Sequence, residues 1–131
     1  MTVLIAPVAR AGVDSEELAA DPLGGGHYVL RSIPVVAEGL ALGDIVSCVE
    51  VGARLHVDRV VVAGGNTTVR LLADVPSATR IRDHLEGLGC RVEHPVPGLL
   101  VASIAPDAPG EGIRAYLGGL ADQGVVLLAA E

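Results

Sequence analysis

With 131 residues, half of them apolar, the chain is long enough to bury about two-thirds of the surface its unfolded form exposes, so folding as one domain without staples is expected. A net charge of −7, with all nine basic residues arginine and scattered, works against nucleic-acid binding, because phosphate neutralisation by Lys and Arg supplies most of that affinity. Tyr28 and Tyr116 are alone among Phe, Trp and Tyr, which excludes base-stacking platforms and aromatic cages and leaves the core to Val, Leu, Ile and Ala.

Cys48 and Cys90 lie far apart and form no C-x-x-C pair, so the expected setting is a reducing cytoplasm rather than a disulfide or zinc framework. No run approaches the roughly 18 apolar residues of a membrane span. The N-terminal Thr2 to Val8 run lacks the basic start of a signal peptide and reads as a first strand.

From Ser15 to Ala20 the chain is either a helical turn or, as we favour, an extended segment ended by Asp21-Pro22. The triple glycine Gly24 to Gly26 precedes a strand, His27 to Ile33, so it is read as a hairpin turn; phosphate loops open a helix instead. Pro34 closes that strand, and Val35 to Leu42 is a loop or short helical turn leading to Gly43-Asp44. Strands Ile45 to Val51 and Arg54 to Val62 flank the two-residue turn Gly52-Ala53, a strong hairpin signal. That register sets Val51 against Arg54, Val49 against His56 and Ser47 against Asp58. Strict alternation then puts Ile45, Ser47, Val49, His56, Asp58, Val60 and Val62 on one face and Asp44, Val46, Cys48, Leu55, Val57, Arg59 and Val61 on the other. Both faces are largely apolar, which suits a ribbon covered on both sides or curled into a small barrel.

After the turn Ala63 to Asn66, the strand Thr67 to Ala73 is expected antiparallel to the preceding one. A helix capped by Ser77 follows, with the stripe Ala78, Ile81, Leu85 and Leu88 and an end at Gly89. Strands Cys90 to Pro95 and Leu99 to Ala105 are separated by Val96-Pro97-Gly98. A second helix, started by Pro106 to Pro109, carries Ile113, Leu117, Leu120 and Ala121 to Gly124. Val125 to Ala129 is a last buried strand. The expected class is therefore α+β: a small antiparallel, barrel-like half over 1–66 and a ferredoxin-like βαββαβ half over 67–131, within a single domain spanning 1–131. In this reading the Thr67 to Ala73 strand sits inside the second sheet while also closing the first.

The anchors Tyr28-x-x-x-x-Ile33-Pro34, Ala37-x-Gly39-Leu40-Ala41-x-Gly43-Asp44-x-Val46 and Gly65-Asn66-x-Thr68-Val69-Arg70 occur in order, with Glu17-Leu18-Ala19-Ala20-x-Pro22 upstream. Together they resemble a bacterial domain-of-unknown-function family, number 4265. Ala19 stands where that family usually has Trp. The resemblance implies a fold and no activity.

His56 and Asp58 share a strand face, and pairing Val62 near Thr68 would bring Arg70 opposite Val60, diagonal to Asp58. Such a trio either holds an anion or tunes a general base, or else is a buried or rim salt bridge beside a half-exposed histidine. Asp44 and Arg59 form a similar diagonal, read as turn shaping with an ion pair. Arg31, Arg59 and Arg70, with Asp44 and Asn66 nearby, are the candidate ligand-binding residues, since guanidinium groups hold carboxylates in bidentate fashion. His27, His84 and His94 show no metal-ligand spacing, no cofactor fingerprint is present, and no metal or cofactor is expected. Three functions remain open: a cytoplasmic binding or accessory protein for a small molecule or protein partner, a cofactor-independent isomerase, cyclase or hydrolase, and an immunity-type inhibitor. A homodimer through an uncovered sheet face is a further expectation.

Overall fold

A computed structural model describes residues 2–10 and 12–128. It contains β1 (Thr2–Arg10), β2 (Val13–Gly24), β3 (His27–Leu30), β4 (Ile45–Val51), β5 (Arg54–Val62), β6 (Thr67–Ala73), α1 (Val75–Gly87), β7 (Arg91–Val96), β8 (Leu99–Ile104), α2 (Gly110–Asp122) and β9 (Val126–Leu128). The chain divides into two compact units, Met1–Asn66 and Thr67–Glu131.

In the first unit five consecutive strands form a closed barrel in the order β1-β2-β3-β4-β5. Successive strands are antiparallel, so the fifth runs in the same direction as the first and closure must be parallel. It occurs through Leu4 beside Leu55 and Ile5 beside His56. Inward positions of all five strands supply the core: Leu4, Ala6, Leu18, Ala20, Leu30 and Val46 are buried, with Tyr28, Cys48, Leu55, Val57 and Val60 packed on them. The segment from 31 to 44 sends Ala37 and Leu40 into the same core.

Two expectations about β2 and β3 change. Pro22 does not end β2; it pairs with Tyr28 beside a register shift, the kind of irregularity at which a sheet tolerates proline. The third strand stops at Leu30 rather than Ile33, because Leu30 exchanges backbone bonds with Gly43 and Asp44 at the strand end, and Ile33 and Pro34 then turn into the interior. The turn between these strands holds Gly24, Gly25 and Gly26 at φ 92°, 65° and 79°, a run that side chains with a Cβ rarely adopt.

The β4–β5 hairpin pairs Val51 with Arg54 and Val49 with His56 as expected, then departs. Cys48 pairs with Val57 but Ser47 with Arg59, and Val46 pairs with Val60 but Ile45 with Val62. Asp58 and Val61 are the extra residues of two β-bulges. Each bulge resets the alternation, so Val60 packs on the core and Arg59 is exposed, opposite to the strict period-two assignment.

The second unit is a four-stranded antiparallel sheet in the order β7-β8-β6-β9 with two helices. Val69 and Leu71 of β6 and Leu100, Ala102 and Ile104 of β8 point to one face, where Ala78, Ile81 and Leu85 of α1 and Ile113 and Leu117 of α2 cover them. The cap of α1 is Asp74, not Ser77: Asp74 Oδ1 accepts the Ser77 N–H at 3.0 Å, and Ser77 Oγ donates to Asp74 Oδ2 at 3.0 Å. The helix thus begins at Val75, with Pro76 in its first turn, where a missing N–H costs nothing. Gly89, at φ 93°, follows the α1 C-cap.

β6 pairs with β8 and β9, whereas β5 pairs with β4 and β1. The expectation that β6 also closes the first sheet is therefore overturned: β1 fills that place. Of the last strand only Val126 is buried; Leu127 and Leu128 are exposed, and Ala129 lies outside the described residues. Among the described residues no helix is long and apolar enough to cross a membrane.

Candidate functional site

β5 carries three of the sequence-selected residues on or near its outer side. His56 is half-buried between Val49 of β4 and Ile5 of β1. Asp58 is exposed at its bulge, and Ser47 faces Arg59 in its place. Burial first, and then the charge of Asp58, push the Cys48 thiol up, so Cys48 is disfavoured as a thiolate nucleophile. Burial does the same to Cys90. Arg70 is placed on β6 opposite Val101 of β8. The pairing of Arg70 with Val60 is not formed, and no strand ladder joins Arg70 to His56 or Asp58.

Arg31, just past the end of β3, donates from Nε to Asp21 Oδ2 of β2 at 2.8 Å in an exposed ion pair. Asp44 and Asn66 form one corner of the barrel. The Asp44 carboxylate, 5% exposed, accepts the Ala41 N–H at Oδ2 (2.9 Å) and the Gly64 N–H at Oδ1 (2.8 Å), while Asn66 Nδ2 donates to the Leu42 carbonyl at 2.6 Å. A Cβ on Gly64 would sit 2.6 Å from the Gly43 carbonyl oxygen, so the two backbones meet at glycine contact distance. This corner shapes a turn and anchors the residues that lead into β6.

A comparable carboxylate escaped the sequence reading. Glu16 Oε2 accepts the Val35 N–H at 2.7 Å, and Oε1 accepts those of Val36 and Ala37 at 3.0 and 2.8 Å. Its signal lay in parity: Glu16 alternates with Leu18 and Ala20, both buried, and so falls on the inward face of a barrel strand. A carboxylate there needs donors, and three consecutive amides provide them.

The second unit holds a shallow groove of about 430 Å³ at the end of the sheet. Leu72, Ala73 and Asp74 form one wall, Ala121, Gly124 and Val125 another, and Val126 and Leu127 of β9 the third. Leu72 and Leu127 are cross-strand partners, 51% and 68% exposed. Asp74 is the one ionisable residue in this lining. Its hydrogen bond from the Ser77 N–H, and secondly that from the Ser77 hydroxyl, hold its carboxyl below the usual range. No cluster of three potential metal-ligating side chains occurs among the described residues.

A closed five-stranded barrel and an antiparallel sheet carrying two helices define a small α+β protein. The chain belongs to the family described as domain of unknown function (DUF4265), whose model matches residues 16–128. No curated protein matches the chain. Its fold is similar to that of a hypothetical protein from Neisseria gonorrhoeae known from a crystal structure, with a TM-score of 0.83 and 19% identity over 98% of this chain and 92% of that one.

Proposed function

We propose that the chain is a small cytoplasmic binding or accessory protein whose residues 67–131 form a ferredoxin-like unit, and that its ligand or partner occupies the groove beside β9. The strand order β7-β8-β6-β9 supports the ferredoxin-like assignment. Two free thiols suit a reducing compartment. One observation carries the binding reading over a catalytic one: the groove is lined by apolar side chains and backbone, and both oxygens of its single carboxylate are already engaged by Ser77. Such a lining offers shape and apolar contact, while supplying no free acid, base or nucleophile for a reaction.

Amide chemical shifts during an indole titration test this reading. Saturable changes confined to Ala73, Asp74, Gly124, Val125 and Val126, abolished by Leu72→Asp, are expected. Linear, scattered changes would remove the groove as a binding site.

A further inference from the structure

The occupant of that groove can be specified from the strand that borders it. β9 ends the sheet order, so one of its backbone edges has no strand partner among the described residues. An open edge presents N–H and C=O groups in the spacing of another strand; this one is short, three residues, and Val126, Leu127 and Leu128 include no proline and no charge. Leu127 is mostly exposed, Leu128 is 38% exposed on the opposite face, and Leu72 extends the apolar surface from the neighbouring strand.

Charge then selects the class of partner. The groove lining contains Asp74 and no basic residue, and the exposed Asp122 directly follows the lining residue Ala121. The chain as a whole carries −7, so a second copy would meet its own charge, whereas a basic segment would be attracted.

We propose that β9 is a docking strand for an extended segment of a partner polypeptide, pairing backbone to backbone with Val126–Leu128, placing an apolar side chain in the groove and a lysine or arginine beside Asp122. This rests on the binding reading above and adds to it the chemistry of the partner. Backbone pairing supplies the affinity of such strand addition, and the alternate side chains supply its selectivity.

The test uses the full chain and three blocked hexapeptides: one of alternating leucine and lysine, its glutamate counterpart, and the lysine peptide with N-methylated backbone amides. The lysine peptide is expected to give saturable shifts and slowed exchange at Val126, Leu127 and Leu128. The other two should bind at least about tenfold more weakly. Asp122→Lys should weaken the lysine peptide and strengthen the glutamate one. Equal binding of the N-methylated or glutamate peptide overturns the proposal. So does concentration-dependent perturbation of the same amides in the chain alone, which would assign the edge to a second copy. If indole fills the groove while no peptide perturbs β9, the strand inference falls and the binding reading stands; if neither binds, both fall.

Discussion

Asp44 and Gly64, twenty positions apart, are joined by a 2.8 Å hydrogen bond from the Gly64 N–H to Asp44 Oδ1, and Asp44 Oδ2 takes the Ala41 N–H from the other side. Replacing Asp44 by alanine leaves the Ala41 and Gly64 N–H groups without their acceptor in a part-buried corner, at a cost of about 1–3 kcal/mol. Urea unfolding should show that loss as a lower midpoint at unchanged slope. A change below about 0.5 kcal/mol would place this corner among ordinary surface sites.

Gly64→Ala and Gly25→Ala separate two reasons for glycine. At Gly64 the new Cβ meets the Gly43 backbone at 2.6 Å, and backbone does not move aside as a side-chain tip does. The expected penalty is about 3 kcal/mol. At Gly25 the space is open and only the left-handed φ of 65° opposes alanine, at about 1 kcal/mol. The order of the two thermal midpoints checks the assignment, and a reversed order would refute it.

Glu16→Ala removes the acceptor of three consecutive amides in the 31–44 segment, and is expected to destabilise the chain by about 2–3 kcal/mol. Hydrogen exchange at Val35, Val36 and Ala37 should quicken more than exchange at β6 or β8. Uniform acceleration across the chain would mean that Glu16 does not hold the segment locally.

The Asp74 cap makes α1 sensitive to acid. Its carboxyl is held below the ordinary range, so ionised Asp74 contributes stability that is fully present above that range and is lost as pH falls through the lowered folded-state value. Asp74→Asn should flatten this acid limb and leave stability nearly unchanged between pH 4 and 7, because asparagine also caps well. Amide exchange in the first turn of α1 during acid titration is the readout. An unchanged acid limb in the variant would assign the dependence to other carboxylates.

Much of the architecture was legible because its signals are local. Gly52-Ala53 announces a hairpin, Gly89 and Gly98 mark a helix end and a turn, and Ile81 with Leu85 marks a buried helix face. The β5 bulges were not legible: valines occupy both faces around Asp58, so an inserted residue leaves no break in the apolar pattern. That hidden shift explains why Asp58 and Arg59 lie elsewhere than strict alternation puts them. Glu16 was readable in principle, since its parity with Leu18 and Ala20 points inward, but its donors come from a loop about twenty residues on.

From the sequence alone follow the order of strands and helices, the turns between them, the family, and the pattern that separates a β-rich half from a βαββαβ half, because each depends on neighbours within a few residues. Which strand closes the barrel was settled only in three dimensions: five alternating strands bring β1 and β5 together in parallel, and β6 is left to β8 and β9. Long-range contacts likewise place Arg70 in the β6–β8 ladder opposite Val101, join Asp44 to Gly64, and leave β9 with an open edge beside an apolar groove. Contacts between residues distant in sequence depend on register and closure, which a local pattern does not encode.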